Sequence, residues 1–148
     1  MNNLNLYNTL EKKISVFNPI DTNDGRMSAC GATDYDFINI SNARPMGVFD
    51  GLVRLLRKMY TKVTYVRNIT DIDDKIKTRE TEKKINISEL TKETIKNFQN
   101  ECKSVGNLYP DFEPRATDHI NEIIEMIEIL ISKSFAYVSS GNVLFSVE

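Results

Sequence analysis

The sequence predicts an α/β chain: one parallel βαβ unit, then a mainly helical segment and a terminal β-hairpin. Three observations predict it. The runs RMSAC at 26–30 and VTYVRNI at 63–69 have the composition of buried strands. Between them, 43–60 carries Met46, Phe49, Leu52, Val53, Leu56 and Met59 at steps of three and four, the spacing of one helix face. Strand, loop, helix and strand within about 45 residues is the size of one βαβ unit, which implies parallel pairing and a right-handed crossover.

The first strand leaves a turn at Asp24-Gly25 and stops at Gly31, and a polar loop spans 33–42. Pro45 suits the first turn of the next helix, whose polar face carries Arg54, Arg57 and Lys58, with Asp50 nearer the start. After the second strand, Asp71-Ile72-Asp73-Asp74 opens a helix through Lys75-Ile76, with its acids at the positive end of the helix dipole. Ser88 can cap a helix over 89–105 that turns Leu90, Thr94, Ile95, Phe98 and Cys102 inward and ends at Gly106. The stretch YPDFEP at 109–114 is a stiff connector. Thr117 can cap a last helix, whose stripe of Ile120, Ile123, Ile124, Ile127, Leu130 and Ile131 reads as core. Two short apolar runs around Ser139-Ser140-Gly141-Asn142 complete a hairpin. Two segments result: a βαβ half-sheet over 1–84, and a helical region with its ribbon over 85–148.

The 148 residues fit one domain, or one domain with an insertion, and can bury a sizeable core. A hydrophobic share of 41% with 27% charged excludes general disorder. With 19 basic and 21 acidic side chains the net charge is −2, which excludes a histone-like binder but leaves room for a local basic patch. No run of about 18 apolar residues marks a membrane span, and the first six residues lack a signal peptide's pattern. Two cysteines, Cys30 and Cys102, cannot build a disulfide framework or a four-thiolate zinc site. The expected setting is reducing and cytoplasmic, with no membrane partner.

The most informative span is RMSACGATDYDFINISNAR, 26–44. A strand ends at Cys-Gly, a polar loop follows, and Asn-Ala-Arg-Pro opens a helix. Helix N-termini present unpaired N–H groups, so this geometry suits a phosphate or carboxylate as well as an ordinary βα loop.

This span resembles the start of cysteinyl-tRNA synthetases, where the first strand ends in Cys-Gly-Pro-Thr and the chain runs on to a His-Ile-Gly-His signature. Here Cys30-Gly31-Ala32-Thr33-Asp34-Tyr35-Asp36 matches the first part, and Asn39-Ile40-Ser41-Asn42 occupies the signature, followed by Ala43-Arg44-Pro45 and Val48-Phe49-Asp50. Three further blocks agree in order: Leu6-Tyr7-Asn8-Thr9, the run YVRNITDIDDKI at 65–76, and Pro114-Arg115-Ala116-Thr117-Asp118-His119-Ile120. The blocks span nearly the whole chain.

The resemblance implies the first half of a Rossmann-like, class I catalytic domain that activates cysteine with ATP and charges its tRNA. It places ATP at Thr33, Asn39, Ser41 and Asn42, with Asn39 and Asn42 at the two catalytic histidine positions. Asparagine donates a hydrogen bond but carries no positive charge, and Ser41 adds a Cβ and hydroxyl where a glycine admits the adenine. Cysteine binding falls to Gly31 and Thr70, at the ends of adjacent parallel strands, where open α/β sheets bind ligands. Cys30 matches a zinc ligand that selects the substrate thiolate, and it reads equally as a small buried strand-end thiol. The other family ligands, and the Lys-Met-Ser-Lys-Ser loop that serves the ATP phosphates, belong to a carboxy-terminal half that these residues do not match. Cys102 and His119 match no family ligand, and His119 reads as a structural first-turn residue. Asp71, Asp73 and Asp74 read as helix caps beside Lys75 rather than as a metal cluster.

Two function classes follow. One is a cysteine–tRNA ligase piece that works only with its missing half. The other is a degenerate, non-enzymatic paralogue or gene remnant that binds a nucleotide, RNA or a protein partner. Under either, the chain alone is expected to be inactive, to hold no stoichiometric zinc, and to expose a strand edge and apolar surface.

Overall fold

The computed structural model describes residues 3–31, 40–72 and 87–147. Near the amino terminus Asn8 reverses the chain: its Oδ1 accepts from the N–H groups of Leu10 (3.0 Å) and Glu11 (3.3 Å), and Lys12 adopts a φ of 54°. The resulting hairpin pairs β1 (Asn5–Asn8) with β2 (Lys13–Val16), an element the sequence patterning does not announce.

The expected βαβ unit is present. β3 (Gly25–Ala29) and β4 (Val63–Arg67) pair in parallel, with Gly25 opposite Val63 and Ala29 opposite Arg67. α1 (Ile40–Met59) connects them and buries Met46, Val53 and Leu56 of the expected stripe. Ala29, Val53 and Tyr65 form the core, with Met27, Phe49 and Leu108 packed on it. The helix starts at Ile40, so Pro45 lies inside it rather than in its first turn. Lacking an N–H, Pro45 leaves the Ser41 carbonyl without its helical donor.

The polar face of α1 stays exposed and also docks the chain over 106–111. Arg54 pairs with Asp50 at 2.6 Å and donates to the Gly106 carbonyl at 2.8 Å, while Asp50 Oδ1 accepts from the Leu108 N–H at 2.7 Å. Arg57 reaches Asp111, whose Oδ2 also accepts from the Tyr65 N–H at 2.7 Å. These contacts lay the 108–116 connector along β4 as a third parallel row. Arg67 N–H donates to the Phe112 carbonyl, Ile69 N–H to that of Pro114, and Ala116 N–H to that of Ile69. The connector thus covers the β4 edge of this two-stranded sheet.

α2 (Ile87–Ser104) turns Ile95 and Cys102 inward and is closed by Gly106, at a φ of 82°. Ser88 lies inside this helix rather than at its cap. The helix expected from Asp71 through Ile76 falls largely outside the described residues. A short 3-10 helix (Ala116–His119) leads into α3 (Ile120–Ser132), and β5 (Ala136–Ser139) with β6 (Asn142–Phe145) forms the expected hairpin. Ser140 and Gly141, both at positive φ, make its turn. Thr117 does not cap α3; its N–H and hydroxyl are engaged by Asp71.

The isoleucine stripe of α3 is the main departure. No residue of this helix is buried: Ile124 is 49% and Met126 55% exposed, and Phe135 and Phe145 beside it are open as well. An apolar face of this extent favours association in water. The purified 148-residue chain is therefore expected to self-associate in sedimentation experiments, and Ile124→Lys with Ile129→Lys to shift it toward monomer. A monodisperse unsubstituted monomer would contradict this.

Candidate functional site

The site is built where β3 and β4 end together. Beyond Ala29 the chain continues into Cys30 and Gly31, and beyond Arg67 into Asn68, Ile69, Thr70 and Asp71. In a parallel sheet these carboxyl ends open onto the crevice that receives ligands. The two strand ends approach so closely at Gly31 that a Cβ there would lie 1.8 Å from the Asn68 carbonyl oxygen. Only glycine fits against this backbone atom. Gly31→Ala is expected to part the strand ends and lower stability by about 3 kcal/mol, as severe overpacking does. An unchanged urea midpoint for this variant would refute the packing argument.

Asn68 bridges the same two strand ends with its side chain. The Gly31 N–H donates to Asn68 Oδ1 at 3.0 Å, and Asn68 Nδ2 donates to Thr70 Oγ1 at 3.2 Å. Asp71, buried despite its charge, accepts from the Thr117 N–H at 3.0 Å and the Thr117 hydroxyl at 2.5 Å. It therefore holds the start of the 3-10 helix and anchors the segment carrying Arg115 and Thr117 to the end of β4.

Behind the crevice lies a buried charge. The Arg67 side chain is 2% exposed and donates to Glu113 Oε1 from Nη2 at 2.6 Å and from Nε at 3.0 Å. Its Nη1 meets Met46 Sδ and Cys102 Sγ, and its guanidinium carbon lies 4.8 Å from the Phe98 ring centre. Glu113 Oε2 accepts from Gln99 and Tyr109. Burial opposes the charge on Arg67, but the hydrogen bonds and charge of Glu113 outweigh it and raise its pKa. Burial, then the bond to Glu113, pushes the Tyr109 phenol up, and burial pushes the Cys102 thiol up against the opposing pull of Arg67. One cluster thus joins α1, β4, α2 and the connector.

The structure brings Cys30, Gly31 and Thr70 to one sheet end. Cys30 is exposed, not the buried thiol of its structural reading. Thr33 and Asn39 lie outside the described residues, as do Asp73, Asp74 and Lys75; Ser41 and Asn42 fall in the first turn of α1. Beside that turn, Ile40, Arg44, Pro45, Val48 and Phe49 line an open, largely apolar cleft of about 550 Å³. His119 is exposed at the end of the 3-10 helix, 3.9 Å from Glu122. Asn68 and the Arg67–Glu113 pair escaped the sequence reading. A polar residue directly after a β-branched strand was the available signal for Asn68.

Zinc does not fit these residues alone. Among the described residues no group of three or more His, Cys, Asp or Glu lies together, and one thiolate cannot hold the ion where three or four protein ligands are needed. Elemental analysis of the purified chain is expected to find no stoichiometric zinc. One tightly held ion per chain, lost on Cys30→Ala, would contradict this.

A parallel βαβ unit with a crevice at its strand ends is a Rossmann-like arrangement. The chain belongs to the family of the tRNA synthetases class I (C) catalytic domain, which matches residues 16–148. A cysteine–tRNA ligase of Rhodospirillum rubrum is 50% identical over 144 residues, covering 97% of this chain and 31% of the relative. One of Azorhizobium caulinodans is 51% identical over 146 residues, at 97% and 32%, and one of Bartonella bacilliformis 46% over 155, at 99% and 31%. The chain spans about a third of the length of the curated relatives it matches. Among the described residues no helix is long and apolar enough to cross a membrane.

Proposed function

We propose that this chain is the amino-terminal part of a cysteine–tRNA ligase catalytic domain and supplies half of the site that activates cysteine with ATP before transfer to tRNA. Residues 1–84 form the first half of the nucleotide-binding domain, and 85–148 form the helical segment and the start of the inserted region. Gly31 and Thr70 take the amino acid, and Thr33, Asn39, Ser41 and Asn42 are assigned to ATP. Cys30 contributes a thiolate to a zinc site whose other ligands come from the portion of the relatives beyond this match. A cytoplasmic setting belongs to the same reading.

The observation that carries it is the meeting of Gly31 and Thr70 at one end of the sheet through the side chain of Asn68. Nuclear magnetic resonance titration of the full chain tests it. L-Cysteine at millimolar concentration is expected to move the amide signals of Gly31 and Thr70, and ATP those at the start of α1. L-Serine is expected to act more weakly than cysteine. Shifts scattered over the surface, or none at these positions, would overturn the assignment.

The second reading, a non-enzymatic binding module, is favoured by one feature: Asn39 and Ser41 stand where the family signature has histidine and glycine. It predicts ATP or RNA binding without any response to cysteine.

A further inference from the structure

We infer that Asn68 is a positioning residue of the crevice, a side-chain clamp that holds the ends of β3 and β4 in register and fixes the polarity of the Thr70 hydroxyl. The orientation of its amide follows from its partners. The Gly31 N–H can only donate, so the group facing it at 3.0 Å is the Asn68 oxygen. That places the NH2 group toward Thr70, 3.2 Å from its Oγ1. Thr70 therefore accepts from Asn68, and this contact does not use its own O–H. The same contact consumes the Gly31 N–H, so this amide is a strut of the site and not a ligand donor.

The clamp acts where the ladder ends. Ala29 and Arg67 are the last paired residues of the two strands, and beyond them Asn68 provides the tie from β3 to Thr70. On the far side, Ile69 is held by the Pro114 carbonyl and Asp71 by Thr117. Thr70 thus sits between two fixed neighbours with its side chain oriented by a third. Such support is what keeps a binding group in its productive geometry.

As to the ligand, this inference rests on the reading that Thr70 faces the substrate cysteine. Its O–H donor then serves an acceptor atom of the amino acid, a carboxylate oxygen or the thiolate. Asn68→Asp separates the two ties. It keeps an oxygen toward Gly31 but replaces the donor to Thr70 by a second acceptor, which turns the Thr70 hydroxyl back onto the carboxylate. Asn68→Ala removes both ties, and Thr70→Val removes only the second.

The test uses amide hydrogen exchange and nuclear magnetic resonance on the full chain. Gly31 exchange is expected to accelerate at least tenfold in Asn68→Ala and to change little in Asn68→Asp, with the Arg67 amide protected in both. Thr70→Val is expected to shift the Asn68 side-chain NH2 signals. L-Cysteine affinity is expected to fall at least tenfold in Asn68→Asp while Gly31 stays protected, a split that general destabilisation would not produce. Unchanged Gly31 exchange in Asn68→Ala, or unmoved Asn68 signals in Thr70→Val, would overturn the clamp. Undiminished cysteine affinity in Asn68→Asp would overturn the polarity assignment. If the unsubstituted chain itself shows no response to cysteine at Gly31 and Thr70, the functional reading falls, and the two ligand-free measurements alone decide the clamp.

Discussion

Replacing Arg67 by methionine while Glu113 stays in place is expected to lower stability by about 3–5 kcal/mol, the usual cost of leaving one member of a buried ion pair alone. The loss approaches the whole stability of a marginal domain. Glu113 would keep its bonds from Gln99 and Tyr109 but lose two charged donors in a place where water cannot replace them. Adding Glu113→Gln to Arg67→Met is expected to recover about 1–3 kcal/mol, because the stranded charge is then gone. Chemical denaturation of the two single variants and the double variant gives this coupling directly. Strictly additive losses would mean that the pair does not act as a unit.

The second large effect concerns the signature. Adenylate formation requires phosphate charge to be stabilised more strongly in the transition state than in bound ATP. Asn39 supplies no positive charge at that position. One such electrostatic contact is typically worth on the order of 3 kcal/mol, roughly a hundredfold in rate. With the remaining two thirds of a relative supplied as a second chain, Asn39→His with Ser41→Gly is expected to raise cysteine-dependent ATP–pyrophosphate exchange by about a hundredfold. Asn42→His is expected to raise it less. A larger gain from Asn42→His would show that the signature alignment assigns the weight to the wrong residue.

Local pattern predicted what local chemistry controls. The α1 stripe was legible because helix periodicity and burial coincide there, with Val53 fully enclosed. The α3 stripe has the same spacing and is not buried, since periodicity shows that a face is apolar but not what covers it. The amino-terminal hairpin was missed because its turn rests on Asn8 and on Lys12 at positive φ, without the Asn-Gly or Asp-Gly pair that marks such turns. The docking of the connector was not legible either. Asp111 meets Arg57 across 54 positions and Glu113 meets Arg67 across 46, and nothing in either short run announces its partner. In the site, strand-end geometry supported Gly31 and Thr70, but their selection came from resemblance. The role of Asn68 emerges only in three dimensions, because it depends on the Gly31 N–H lying 37 positions away at the neighbouring strand end.

Cysteine-dependent ATP–pyrophosphate exchange tests the central claim most directly, measured on the unmodified 148-residue chain alone and then with the remaining two thirds of the Rhodospirillum rubrum relative added as a separate chain. The account predicts no exchange by the chain alone and measurable exchange, dependent on cysteine and not on serine, once the second chain is present. Robust exchange by the chain alone would contradict it, since neither the signature histidine nor the second chain would then be required.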